Sequence, residues 1–218
     1  MNQHNNKSCV IILPGRGYKG LVLWNEGFAW CHFFENNHIA PAILLYQMPN
    51  GNYRKPLRDI SEAIRFMRSL GYANVGVMGS SAGGHLAASL LKNVKDTIEF
   101  AILMYPVISM TDDLAHVDSR SAFLGDCDTS SVLKSYFSFE DNISDATPPC
   151  FIGVSRNDSV VNPQNSYSLY YNLMLHNRPA ALYVYPTGGH GWGFDDSFEY
   201  HNQMKFDLST WLYSLKLK

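Results

Sequence analysis

The stretch Asn74-Val75-Gly76-Val77-Met78-Gly79-Ser80-Ser81-Ala82-Gly83-Gly84-His85-Leu86-Ala87-Ala88 decides how this chain is read. It begins as a short apolar run with the composition of a buried strand. It then passes through Gly79-x-Ser81-x-Gly83 and continues into a run of small residues with helical character. Strand, tight turn and helix in that order form a nucleophile elbow, which lifts a serine hydroxyl above the edge of a sheet. Glycine is needed two residues to either side of the serine because the turn presses those Cα atoms against neighbouring backbone. The bare pattern is common, so its setting between strand and helix carries the reading.

Working outward, the same alternation runs the length of the chain. Short runs rich in β-branched and aliphatic residues fall at 8–13, 42–46, 74–78, 100–105, 150–154 and 182–185. Most are nearly continuous in their hydrophobicity, as strands are when a parallel sheet is covered on both faces. Between them lie helical patterns at 24–36, 82–91, 163–176 and 198–215. The clearest one opens at Pro56, repeats through Ile60, Ala63, Ile64, Met67 and Leu70, and closes at Gly71. This predicts an α/β protein: a three-layer α/β/α sandwich around a mostly parallel sheet of about six strands. Repeats, low-complexity tracts and linkers are lacking, so residues 1–218 read as a single domain. The exception to the alternation is 109–147, rich in Ser and Asp with one helical candidate near 132–137. A connection of that length following a strand is expected to act as a lid or substrate loop over the carboxyl edge of the sheet.

A serine hydroxyl needs a base, and the base needs a carboxylate to fix its tautomer. Of the eight histidines, His190 stands apart, in the flexible loop Thr187-Gly188-Gly189-His190-Gly191-Trp192-Gly193 directly after the run 182–185. Such a loop leaves the same sheet edge as Ser81. His85, one turn beyond Ser81, reads as packed or hydrogen-bonded. Asp158 follows the run 150–154 and is the matching acid. Asp141 and Asp145 precede that strand, and Asp195 and Asp196 are too close to His190 in sequence. The order Ser81, Asp158, His190 is that of α/β-hydrolases. Oxyanion donors are expected from the amides of Ala82 and of Arg16 and Gly17 in Pro14-Gly15-Arg16-Gly17-Tyr18. That turn lacks the spacing of a phosphate loop. The aromatics Tyr18, Trp192 and Phe194 are placed to close an acyl pocket or stack on a sugar, with loop packing as the alternative.

Composition bounds the rest. Of 218 residues, 46% are hydrophobic and 17% charged, with a net charge of −2. That balance argues against nucleic-acid or membrane-surface partners. Arg54, Lys55, Arg58, Arg65 and Arg68 read as the solvated face of one helix. Four cysteines, Cys9, Cys31, Cys127 and Cys150, show neither paired nor zinc-like spacing. A reducing compartment fits them. Residues 1–7 are polar, and the apolar stretch 10–13 is too short for a signal peptide. A cytoplasmic location is therefore expected.

On Leu13-Pro14-Gly15-Arg16-Gly17-Tyr18, Gly79 to Ala87, Tyr105-Pro106-Val107-Ile108-Ser109-Met110, the stretch from His116 through Ser119, Arg120 and Leu124 to Gly125, and Gly188-Gly189-His190-Gly191, the chain resembles the carbohydrate acetyl esterases of the α/β-hydrolase superfamily, the acetyl-xylan-esterase-like proteins. The resemblance covers nearly the whole chain. It implies hydrolysis of O-acetyl groups on sugars, or of short-chain esters, through an acyl-serine intermediate, with no metal and no cofactor. An arylformamidase-like amidase or a dipeptidyl-type peptidase would use the same machinery, and a catalytically silent binding protein would keep only the fold. Three departures stand out. Arg16 occupies a position where the family usually has glycine. The proline expected at Asn162 appears at Pro163. The antiparallel strands that usually precede the first strand have no room here, which makes the sheet edge a candidate homodimer surface.

Overall fold

The computed structural model describes residues 8–92 and 97–217. The polar stretch 1–7 lies outside them. Strand β1 (Ser8–Leu13) shows why the apolar runs are continuous: Cys9, Ile11 and Leu13 pack into one core, while Val10 and Ile12 pack into a second on the opposite face. Side chains of a strand alternate between faces, so a strand covered on both sides has nowhere to place a polar residue. Burying each such aliphatic side chain contributes roughly 1.5–3 kcal/mol.

The other strands are β2 (Ala40–Ile43), β3 (Asn74–Ser80), β4 (Phe100–Met104), β5 (Cys150–Ser155) and β6 (Ala180–Tyr185). They form one six-stranded sheet in the order β2-β1-β3-β4-β5-β6, and every pair is parallel. Among the described residues seven α-helices accompany it: α1 (Cys31–Asn36), α2 (Arg54–Ser69), α3 (Ala82–Ala88), α4 (Val117–Leu124), α5 (Ser131–Tyr136), α6 (Gln164–Leu175) and α7 (His201–Ser214). Ile60, Ile64 and Met67 of α2, Leu86 of α3 and Leu169 and Leu173 of α6 fill one core. Phe33 and Phe34 of α1 and Met204, Leu208 and Trp211 of α7 fill the other. Three layers result. The strand order reverses between β1 and β3, and the crevice at such a switch point is where open α/β sheets place their sites.

Several elements differ from the sequence reading. Strand β2 begins at Ala40, before Pro41, rather than at residue 42. It is an edge strand, where the missing N–H of proline costs no ladder bond. The expected helix 24–36 is a 3-10 turn at Phe28–Trp30 followed by the short α1. A side chain at Gly27 would collide with the backbone of residue 23, so the chain turns there instead of continuing a helix. Helix α4 was not expected at all. It has no apolar stripe, and its signals are local: His116 accepts the Ser119 N–H at its start, and Gly125 with φ 56° ends it. All four cysteines are free; Cys9 and Cys150 are buried, Cys31 is half-buried and Cys127 is exposed. No helix among the described residues is long and apolar enough to cross a membrane.

Candidate active site

Ser81 sits between β3 and α3 with φ 53° and ψ −120°, a positive-φ conformation that a residue with a side chain adopts only when its surroundings impose it. They do. Its N–H donates to the Met104 carbonyl (3.0 Å), and its own carbonyl accepts the N–H groups of His85 (3.2 Å) and Val107 (3.1 Å). A Cβ on Gly79 would run into the Gly83 carbonyl, and one on Gly83 into the Leu13 carbonyl.

The carboxylate and imidazole arrive from the next strands along the sheet. Asp158 follows β5, its side chain fully enclosed. Its Oδ1 accepts the N–H groups of Val160 (2.9 Å) and Val161 (3.0 Å), and its Oδ2 lies 2.7 Å from His190 Nδ1. His190 follows β6 and brings Nε2 within 2.9 Å of Ser81 Oγ. An ionised carboxylate only accepts, so Nδ1 carries the proton and Nε2 turns its lone pair to the serine hydroxyl. The three side chains named from sequence thus form one hydrogen-bonded line. The rival acids lie elsewhere: Asp141 pairs with Asn172 (3.4 Å), Asp195 with Asn25 (3.3 Å) and Asp196 with His201 (3.1 Å).

The loop bearing His190 is fixed at several points by distant partners. Gly189 N–H donates to Asn157 Oδ1 (2.9 Å), Gly193 N–H to Tyr105 Oη (2.9 Å) and Phe194 N–H to the Asn25 carbonyl (2.7 Å). The Tyr105 ring meets His190 edge-on at 4.8 Å.

Across the switch point, the turn after β1 lies against the elbow. A Cβ on Gly15 would stand 2.9 Å from Ser81 Cβ and 3.2 Å from Ala82 N. The amides of Arg16, Gly17 and Ala82 reach no acceptor among the described residues. The Gly15 amide is turned away and donates to Glu26 Oε2 (2.6 Å). Arg16 adopts φ 153° and Gly17 φ 60°, and the first value lies in the region that favours glycine. This is the backbone reason a glycine suits position 16, and its replacement leaves an exposed guanidinium at the rim.

The aromatic expectations are corrected. Tyr18 is fully buried, with its hydroxyl 2.8 Å from His85 Nδ1 and its ring against Phe123. Trp192 is buried flat against Phe198 at 4.4 Å, and its Nε1–H donates to Ser155 Oγ (3.0 Å). Phe194 packs edge-on against Trp30 at 4.8 Å. Tyr18 and Trp192 therefore keep their ring faces inside the protein, and loop packing, the alternative reading, describes them. His85 is packed as expected. Its Nε2–H donates to the Phe137 carbonyl (2.9 Å), so Nδ1 accepts from Tyr18, and burial lowers its pKa to about 4.

Residues 109–147 border this site. Ser119 Oγ lies 3.8 Å from where a Cβ of Gly17 would stand, and Lys19 pairs with Asp118 (3.2 Å). Buried Arg120 holds the segment together through the Met110 carbonyl (3.2 Å), Asp112 (2.7 Å) and Asp128 (2.5 Å). Sequence reasoning missed Glu26, a buried acid that touches both the turn after β1 and Tyr105. Lying within an apparent helix, it carried no signal of its own. Among the described residues, no group of three or more His, Cys, Asp or Glu side chains could hold a metal ion.

A doubly covered parallel sheet with a serine elbow, a following acid and a following histidine on its carboxyl edge defines an α/β hydrolase. Residues 48–210 match the prolyl oligopeptidase family, and the chain belongs to that family. It is 33% identical over 218 residues to an acetylxylan esterase of Xylanibacter ruminicola, covering 94% of this chain and 45% of that protein. It is 36% identical over 214 residues to an endo-1,4-beta-xylanase B of Butyrivibrio fibrisolvens, covering 87% of this chain and 33% of that protein. The chain thus spans less than half the length of these curated relatives. Among solved structures, an acetyl ester-xyloside bifunctional hydrolase from Caldicellulosiruptor lactoaceticus superposes with a TM-score of 0.88 at 28% identity, covering 96% of this chain and 84% of that one. A carboxylesterase from Lactobacillus plantarum shares the fold, with a TM-score of 0.77 at 20% identity over 96% of this chain and 86% of that one.

Proposed function

We propose that this protein hydrolyses short-chain carboxylic esters, O-acetyl groups on carbohydrate in particular, through an acyl intermediate on Ser81. The line Asp158–His190–Ser81, at 2.7 and 2.9 Å, carries this reading. His190 Nε2 takes the hydroxyl proton as Ser81 Oγ attacks the ester carbonyl. Asp158 steadies the imidazolium so formed. The negative oxygen of the tetrahedral intermediate meets the amides of Ala82, Gly17 and Arg16, which reach no acceptor among the described residues. His190 then gives its proton to the departing alcohol, and water repeats the sequence to free the acid.

The acetyl preference draws on the names of the relatives, an acetylxylan esterase and an acetyl ester-xyloside hydrolase. With Tyr18 and Trp192 in the core, the polar groups at the rim, Arg16 and His116, are the candidates to meet a sugar. Ser81→Ala should lower turnover of 4-nitrophenyl acetate by several orders of magnitude, toward the ~10⁶-fold seen when such a serine is removed from subtilisin. A variant that turns over near the wild-type rate sinks the reading. Across acetyl, butyryl and octanoyl esters the acetyl ester should give the highest kcat/KM, and acetate should be released from acetylated xylo-oligosaccharides. A second reading, cleavage of a peptide bond, is favoured by the family that the profile match names. Activity on peptidyl substrates without acetate release selects it.

A further inference from the structure

Glu26 is 3% exposed and has no cation in hydrogen-bond contact, a costly placement for a carboxyl group. Both of its oxygens are engaged, and by donors from two different parts of the site. Oε2 accepts the Gly15 N–H at 2.6 Å, and Oε1 accepts the Tyr105 hydroxyl at 2.9 Å. The Tyr105 oxygen in turn accepts the Gly193 N–H at 2.9 Å. Gly15 belongs to the turn that offers the Arg16 and Gly17 amides, and Gly193 to the loop that carries His190. The neighbouring Asn25 strengthens the second connection by accepting the Phe194 N–H at 2.7 Å.

We propose that Glu26 is a positioning residue for ester hydrolysis, a single buried carboxylate that sets the oxyanion turn through Gly15 and the histidine loop through Tyr105. The inference rests on the serine-hydrolase reading above and deepens it. Two loops that leave different strands, on either side of Ser81, must stay in register to within a fraction of an ångström for the oxyanion and the proton to be handled together. Glu26 is the common anchor that the hydrogen bonds give them. Burial pushes its pKa up, whereas the Gly15 and Tyr105 contacts and the nearby His190 act in the opposite direction, favouring the carboxylate.

Glu26→Gln separates this role from space-filling, because glutamine keeps the shape but replaces one acceptor oxygen with a donor. Its one acceptor oxygen can keep the Gly15 N–H, but the Tyr105 contact must then reverse, with the amide donating to Tyr105 Oη and the phenol proton driven out of its place. The variant should lose roughly 10- to 100-fold in kcat on 4-nitrophenyl acetate with KM within about twofold, since the misplaced amides and imidazole matter most in the transition state. Glu26→Asp, which keeps two acceptor oxygens, should recover part of the loss. A folded Glu26→Gln enzyme with wild-type kcat overturns the inference. If that variant does not fold, Tyr105→Phe decides: it cuts only the arm to Gly193, and an unchanged kcat overturns the proposal. Ser81→Ala run alongside keeps the two claims apart. If it retains activity, the serine-hydrolase reading and this inference fall together. If it is silent while Glu26→Gln is fully active, only the inference falls.

Discussion

The turn that carries Ser81 and the loop that carries His190 stand side by side on one sheet edge and are held in different ways. The turn is shaped by close contact within its own neighbourhood: Gly79 against Gly83, Gly83 against Leu13, Gly84 against Pro106. The histidine loop has glycines at positive φ at 188, 189, 191 and 193, and its N–H groups donate to Asn157, Tyr105 and Asn25, which hold it. Close backbone contacts dominate the first, and hydrogen bonds to partners outside the loop dominate the second. The first should therefore fail all at once under mutation, and the second by degrees.

Gly83→Ala tests the steric side and should have the largest effect. The new methyl group meets backbone that cannot move without shifting β1, so denaturant unfolding should register a loss of about 3 kcal/mol or more. A variant as stable as wild type would break the contrast. Next comes the pH dependence built into α3, directly behind the serine. His85 is buried neutral, with its pKa lowered from 6.5 to about 4. Below 6.5 the unfolded chain takes up a proton that the folded one refuses, so stability present above that pH is lost as pH falls towards 4. The full span is worth about 3 kcal/mol. Wild type should show this slope in urea titrations between those limits, and His85→Gln should flatten it. Asn157→Ala tests the tethered side and should have the smallest effect. It removes the acceptor of the Gly189 N–H on an exposed residue, so kcat/KM should fall roughly 10-fold, the equivalent of about one hydrogen bond, while the melting temperature stays nearly constant. A collapse in stability there would show the loop to be a structural element in its own right.

The same division explains what was legible in the residues. Strands β1 and β3 to β5 announced themselves because both faces of each are covered, leaving uninterrupted apolar runs, and the half-buried edge strand β6 did so by its aliphatic and aromatic run alone. Ser81, His190 and Asp158 could be placed from their positions relative to those strands, without any knowledge of contacts. Where the determinant is a partner far along the chain, sequence pattern fell short. Glu26 resembles any acid on a helix until Gly15 and Tyr105 are seen around it. Tyr18 and Trp192 looked like ligand platforms because aromatic residues beside an active-site loop serve either purpose; His85 and Phe198 claim them for the interior. Helix α4 was hidden because capping at His116 and a turn at Gly125 set its limits, not a repeating apolar stripe.

The unequal burial of the cysteines has a practical consequence. The thiols of Cys9 and Cys150 lie in strands, where burial pushes each to about 12, and that of Cys31 is half-covered and also raised. Cys127 alone among the described cysteines is open to solvent, just beyond α4 in the segment bordering the turn after β1. A maleimide dye applied to the native protein should attach there first, giving a fluorescent reporter on the substrate side without an engineered cysteine.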